Sequence, residues 1–81
     1  MQLTVRVNGI LAQKMGLARF TVVLIEPATL YDLRQHLQTQ HPHLTAELER
    51  TVAVVDGRHQ PHTVVLQPGQ EVALLLPVAG G

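Results

Sequence analysis

The stretch Thr29-Leu30-Tyr31-Asp32-Leu33-Arg34-Gln35-His36-Leu37 carries the clearest helical pattern of the chain. Thr29 is followed three residues later by Asp32, which is typical of a capping box with aspartate in place of the usual glutamate. Leu30, Leu33 and Leu37 fall on one face of a helix at this spacing. The stretch therefore predicts an amphipathic helix that packs its leucine stripe against a core.

Apolar runs on both sides of this helix predict strands. Leu3, Val5 and Val7 alternate with polar residues, the period of a half-buried strand. The β-branched run at 19–25 predicts a second strand that pairs with the first. Later strands are predicted at 51–55 and 71–76, with a short irregular strand or turn at 60–66 and turns at 56–57 and 67–70. The run at 71–76 is apolar enough to lie in the middle of a sheet.

Two shorter helical segments are also predicted. Residues 10–15 have helical character, and Gly16 after them is a suitable C-cap. Pro42 restricts the residue before it, so the main helix should end near Gln40 or His41. A second helical turn after Pro42 would hold Leu44 and Leu48.

The order strand, strand, helix, strand, short strand, strand resembles an α+β ubiquitin-like β-grasp. We therefore expect a mixed sheet of four to five strands packed on one main helix. Residues 1–81 should form a single domain, and residues 76–81 an exposed C-terminal tail. The tail should be mobile while its root in the central strand is rigid.

Composition narrows the possible functions. The chain has 81 residues, 46% of them apolar, with 6 basic and 6 acidic side chains, so bulk charge gives no reason to expect nucleic-acid binding. There is no cysteine, which excludes a disulfide framework and a thiolate nucleophile. The longest apolar run is too short to span a membrane, and no export pattern is present, so the sequence predicts a cytoplasmic protein. The histidine pairs at 41–43 and 59–62 match no zinc spacing, so no metal is expected.

The sequence ends in two glycines directly after the last predicted strand. Glycine has no Cβ, so a diglycine end passes through channels that exclude side chains and presents a free carboxylate to another enzyme's pocket. We predict that Gly81, with Gly80 beside it, is the reactive end of the protein. The neighbouring docking segment would be Leu76, Pro77, Val78 and Ala79. The alternative is that the glycines are a frayed end or a remnant of cloning.

Three segments together resemble the molybdopterin synthase small subunit and related ubiquitin-like sulfur carriers. They are 29–37, Val52-Ala53-Val54-Val55-Asp56-Gly57, and 67–81 with its Pro-Val-x-Gly-Gly end. The resemblance implies that a ubiquitin-activating-type adenylating enzyme uses ATP to adenylate Gly81. A sulfur donor protein would then supply a persulfide sulfur, leaving a thiocarboxylate. The thiocarboxylate would enter the molybdopterin synthase large subunit, with which the chain would form a heterotetramer.

The resemblance leaves the pathway open. Val7-Asn8-Gly9 is similar to the opening of the thiamin sulfur carrier, and carriers of this kind also serve cysteine synthesis or tRNA thiolation. A ubiquitin-like protein modifier attached through Gly81 to lysines is a further possibility. In each case we expect the chain to bind no cofactor, not to be catalytic alone, and to have no nucleic-acid or membrane partner.

Overall fold

The chain folds as nine consecutive segments in a computed structural model that describes residues 1–77. In chain order they are β1 (Gln2–Val7), α1 (Gly9–Met15), β2 (Arg19–Val23), α2 (Leu30–Gln40), a 3-10 turn (Pro42–Leu44), α3 (Thr45–Glu49), β3 (Val52–Val55), β4 (Arg58–His59) and β5 (Glu71–Leu75). Apart from β4, the helices and strands lie close to the segments predicted from the sequence.

The five strands form one mixed sheet in the order β2-β1-β5-β3-β4. β1 and β2 form an antiparallel hairpin, while β5 pairs parallel to β1 and antiparallel to β3. In the parallel pair, Val5 lies opposite Val72 and Val7 opposite Leu74. β5 therefore occupies the centre of the sheet, and the predicted β-grasp arrangement of a mixed sheet with one main helix is confirmed.

Helix α2 begins and ends where its sequence signals predict. The backbone N–H of Asp32 donates to the Thr29 hydroxyl oxygen at 3.2 Å, and the Thr29 N–H donates to the Asp32 carboxylate at 2.9 Å. This reciprocal pair satisfies two of the N–H groups that a helix start leaves without partners. Leu30, Leu33 and Leu37 are buried, so the leucine stripe is the face that packs against the sheet.

The hydrophobic core lies between α2 and one face of the sheet. Because side chains alternate along a strand, every second strand residue points toward the helix. In the described part of the chain, the sheet contributes eight buried apolar residues to this core: Leu3, Val5, Val7, Val22, Ala53, Val55, Val72 and Leu74. Leu44 and Leu48, on the 3-10 turn and α3, close the end of this core.

An ion pair joins the two short helices. Lys14 of α1 lies 2.6 Å from Glu47 of α3, and this ammonium group holds the pKa of the Glu47 carboxyl below its ordinary value. The pair links α1 to α3, and Asn8, which precedes α1, contacts Leu76 just after β5.

The largest departures from the sequence predictions are at strand ends. β2 stops at Val23, and Ile25, which we expected within it, is 91% exposed beyond its end. The two-residue strand β4 was not predicted. It follows a turn in which Asp56 and Gly57 have φ angles of 50° and 78°, and a strand this short leaves no periodic signal.

Residues 60–66 form turns and a single antiparallel bridge between Thr29 and Val65. Leu66 is buried and Val64 packs against the core from a half-buried position, as the sequence indicated. Within residues 1–77, no helix is long and apolar enough to cross a bilayer.

Candidate functional site

The C-terminal part of the described chain leaves the sheet from its central strand, β5. β5 is hydrogen-bonded to a neighbour on each side, β1 and β3. Val72 and Leu74 are 0% and 1% exposed on the core face. A strand that is paired on both edges and packed on one face has little freedom to shift. Whatever follows Leu75 therefore starts from a fixed position.

Leu76 is held by a contact that the sequence did not reveal. Its backbone N–H donates to the Asn8 side-chain carbonyl oxygen at 3.0 Å. Asn8 is at the N-cap position of α1, yet its side chain caps no helical N–H, because the side-chain oxygen is directed at Leu76 instead. The side chain of Leu76 is half-buried and packs against the core. The chain thus becomes exposed at Pro77, one residue later than the boundary we expected.

Leu76 and Pro77, where the chain leaves the sheet, are here called the exit point. Replacing Asn8 with alanine should loosen the exit point without unfolding the domain. The loss leaves the Leu76 N–H without its protein acceptor, which costs about 0.5–1.5 kcal/mol for a bond of this kind. Amide exchange at Leu76 should become faster, whereas exchange at Val72 and Leu74 should not change. Asn8→Asp keeps the acceptor oxygen and should retain the protection. Equal exchange at Leu76 in both variants would show that Asn8 does not anchor the exit point.

A shallow hollow lies beside this exit point. It has a volume of about 590 Å³ and is lined by Ile10, Arg50, Leu76 and Pro77. Ile10 is 48% exposed, although it is apolar. The hollow thus joins apolar surface to one cationic side chain next to the residues that precede the diglycine.

The second part of the site is the sheet face that points away from α2, here called the open face. Val52 lies opposite Leu75, and Val54 lies opposite Ala73. These four residues alternate with core residues, so their side chains share the open face. Val52, Val54 and Leu75 are half-buried. They form an apolar strip that leads along β3 and β5 to the exit point.

Charged side chains border the strip on the open face. Glu71 forms ion pairs with Arg6 and with Arg19, each at 3.0 Å. These pairs are solvent-exposed, so they add little to stability. They place a charged rim beside an apolar centre, the usual composition of a protein-docking surface. Of the adjacent residues Leu74 and Leu75, only Leu75 has its side chain on the open face, because Leu74 is buried in the core.

Four of the predicted site residues belong to the last part of the chain. Val78, Ala79, Gly80 and Gly81 lie outside the described residues, so their roles stay predictions. Among residues 1–77, no three histidine, aspartate or glutamate side chains converge on a point where a metal ion could bind.

Comparison with known structures gives close matches in fold. SAMP1 from Haloferax volcanii superimposes with a TM-score of 0.87 at 22% identity, covering 100% of both chains. A Pyrococcus furiosus protein assigned as molybdopterin converting factor subunit 1 gives 0.86 at 21% identity, covering 96% of this chain and 99% of that one. A complex of subunits 1 and 2 of molybdopterin-converting factor from Helicobacter pylori contains a chain with a TM-score of 0.71 at 24% identity, with 100% of both chains covered.

Comparison of sequences identifies the family. A search of the curated proteins gave no significant match. The sequence model of the ThiS family matches residues 5–81, which include the open-face strands, the exit point and the final glycines. The match spans nearly the whole chain, and the observed fold is the ubiquitin-like one already described. The chain therefore belongs to the ThiS family.

Proposed function

We propose that this protein is a sulfur carrier that acts as the small subunit of molybdopterin synthase. The observation that carries the proposal is the exit point. A central strand, held on both edges, delivers the chain at Leu76 and Pro77 toward a diglycine that the ThiS model includes. The resemblance of the Pro-Val-x-Gly-Gly end to molybdopterin synthase small subunits favours this pathway. The fold likeness to subunit 1 of molybdopterin-converting factor is consistent with it.

The proposed chemistry takes place on the carboxylate of Gly81. A ubiquitin-activating-type enzyme transfers AMP from ATP to this carboxylate and releases pyrophosphate. The terminal sulfur of a donor's persulfide then attacks the acyl carbon and displaces AMP. A thiol then attacks the donor's cysteine sulfur in this acyl disulfide, so a new disulfide forms and the thiocarboxylate is released. Acid-base groups and oxyanion stabilisation belong to the partners, because the carrier brings only the reacting carbonyl.

The exit point and the open face explain how such a carrier would position its end. Residues 78–81 can reach at most about 14 Å beyond Pro77 when fully extended. When a partner binds the open face, the Gly81 carboxylate is therefore confined to within about 14 Å of Pro77. Fixing one reactant in this way replaces a bimolecular encounter with a nearly intramolecular one.

Docking on the open face should depend on Leu75. Leu75→Asp places a charge in the middle of the apolar strip, and we expect binding to the activating enzyme and to the large subunit to weaken by about tenfold or more. Titration calorimetry with each purified partner measures this. Val65→Asp is the matched control. Val65 is apolar like Leu75 and is 52% exposed, but it belongs to a different segment. Equal losses in both variants would remove the open face from the proposal.

A second candidate function is protein modification. The fold matches SAMP1, a small archaeal modifier protein, over the full length of both chains, and the proposed adenylation of Gly81 is equally suited to forming an amide with a lysine. Carriers that serve thiamin, cysteine or tRNA thiolation share the same activation step. The pathways differ in the molecule that finally attacks the activated end.

The decisive experiment is an intact mass measurement of the protein purified from its own cells. A sulfur carrier should include a population heavier by the replacement of one oxygen with sulfur, and this population should disappear in the absence of the activating enzyme. Purified loaded carrier and the large subunit should then convert a pterin precursor to its dithiolene. Loading without this conversion would assign the carrier to another sulfur pathway. Diglycine remnants on lysines, without any loaded species, would instead indicate a modifier.

A further inference from the structure

Strand β2 forms one outer edge of the sheet. Its pairing with β1 shows which of its N–H and C=O groups point away from the sheet. Met1 and Leu24 exchange two hydrogen bonds, and Val7 N–H donates to the Ala18 carbonyl. In an antiparallel pair the directly bonded residues alternate. The even-numbered residues of β2 therefore direct their N–H and C=O groups at β1. Those of Arg19, Thr21 and Val23 point away from the sheet.

The same edge carries an unusual amount of exposed apolar surface. Among the described residues, Leu17, Val23 and Ile25 are 54%, 69% and 91% exposed. Val23 belongs to the same alternate row as Arg19 and Thr21, while Leu17 and Ile25 flank β2 two residues beyond its ends. Soluble proteins usually protect an outer strand with lysine, proline or inward charge. β2 has only Arg19 at its start, and that guanidinium already bonds to Glu71 at 3.0 Å.

We propose that the β2 edge pairs with the β2 edge of a second copy of this chain, antiparallel and about a two-fold axis at Thr21. In this register Thr21 lies opposite Thr21 of the second copy, and Arg19 lies opposite Val23. The flanking Leu17 lies opposite Ile25. The outward N–H and C=O groups of Arg19, Thr21 and Val23 then pair with one another.

This register is favoured because the edge is complementary to itself. In this register the exposed Leu17 contacts Ile25 of the second copy, and Val23 contacts the aliphatic part of the Arg19 side chain. No like charges face each other across the axis, since each Arg19 is opposite a valine. Shifting the register by one residue would put core-face side chains on the open face, so the alternation restricts the choices.

The other face of the edge also gains a cover. A groove of about 390 Å³ lies between β2 and the C-terminal half of α2, with Met15, Phe20, Val22, His36 and His41 in its lining. In the proposed register Phe20 lies opposite Val22 of the second copy. The second copy therefore brings apolar side chains to the open side of this groove.

The resulting dimer would have a ten-stranded sheet and a modest affinity. Only five residues of each chain form β2, so the interface is smaller than that of a permanent dimer, and we expect dissociation constants in the micromolar range or weaker. β1 separates β2 from β5. The exit point and the apolar strip of the open face therefore remain accessible in the dimer.

A single cysteine at the axis tests the register. The chain has no cysteine of its own, so a disulfide in Thr21→Cys joins residue 21 to residue 21 of another copy. Paired Cα atoms at this kind of position are about 5.5 Å apart, within the range that a disulfide spans. We expect a covalent dimer to form under mild oxidation much faster than in Thr63→Cys, which carries the cysteine on an exposed turn elsewhere. Equal rates in the two variants would overturn the proposed register.

Sedimentation velocity over a range of protein concentrations tests the association itself. The wild-type chain should shift from monomer toward dimer as its concentration rises, and Val23→Lys should remain a monomer. Val65→Lys, the same substitution at an exposed valine away from the edge, should behave like wild type, and both variants should melt as wild type does. A wild-type chain that stays monomeric throughout, or a dimer that survives Val23→Lys, would overturn the proposal. Weakened large-subunit binding by Val23→Lys in a monomeric protein would assign the edge to that partner instead.

Discussion

Removing Gly81 should abolish formation of the thiocarboxylate while leaving the folded domain unchanged. The shortened chain still ends in a glycine carboxylate, but that group lies one residue, about 3.5 Å, short of the position that a docked partner requires. Misplacing a reacting group by even about 1 Å costs on the order of a hundredfold in rate. Sulfur loading is measured by intact mass after incubation with the activating enzyme, ATP and the sulfur donor.

Two companion variants make this result specific. Gly80→Val retains the length of the chain but adds a β-branched side chain where bare backbone is needed, and it should also fail to load. Neither variant should shift the thermal unfolding midpoint, because the core includes nothing beyond Leu76 among the described residues. If a variant without Gly81 still supports cofactor synthesis, the proposed role of the terminus is wrong.

Leu33→Ala should have the opposite signature, a large loss of stability with intact chemistry. Leu33 is 0% exposed at the middle of the α2 stripe, and truncating such a leucine costs about 2–5 kcal/mol. Small domains are stable by about 5–15 kcal/mol, so this is a large fraction of the total. Urea denaturation monitored by circular dichroism gives the free energy of unfolding directly.

Gln35→Ala provides the control on the same helix. Gln35 is exposed, and alanine is a better helix former, so the free energy of unfolding should change by no more than about 0.5 kcal/mol. Sulfur loading by Leu33→Ala should fall only in proportion to its folded fraction. A stable Leu33→Ala that nevertheless failed to load would mean that α2 contributes to partner recognition.

The parts of the fold that the sequence predicts well are those with local signals. The capping pair Thr29 and Asp32 and the leucines behind it are within eight residues of one another, so their pattern is legible without the rest of the molecule. The apolar run of β5 likewise indicates a central strand. By contrast, β4 owes its existence to the turn at Asp56 and Gly57 and to its pairing with β3.

The candidate site was less accessible to sequence reasoning because its contacts are long-range. Asn8 and Leu76 are 68 positions apart, and an asparagine before a helical segment is most simply interpreted as a cap. The apolar strip depends on the register that sets Val54 opposite Ala73 and Val52 opposite Leu75. A sequence gives the alternation within each strand, but only the folded sheet determines which residues of different strands become neighbours.

The parallel pairing of β1 with β5 also affects when this protein can be used. The pair joins residues 4–7 to residues 71–74, so its closure requires nearly the whole chain to have been synthesised. Contacts of such high sequence separation form late, after a large loss of chain entropy. The hydrogen bond from Leu76 to Asn8 depends on the same closure. Nascent or misfolded chains would thus lack the combined surface of the open face and the exit point. An enzyme that binds both together would use ATP only on molecules whose folding is complete.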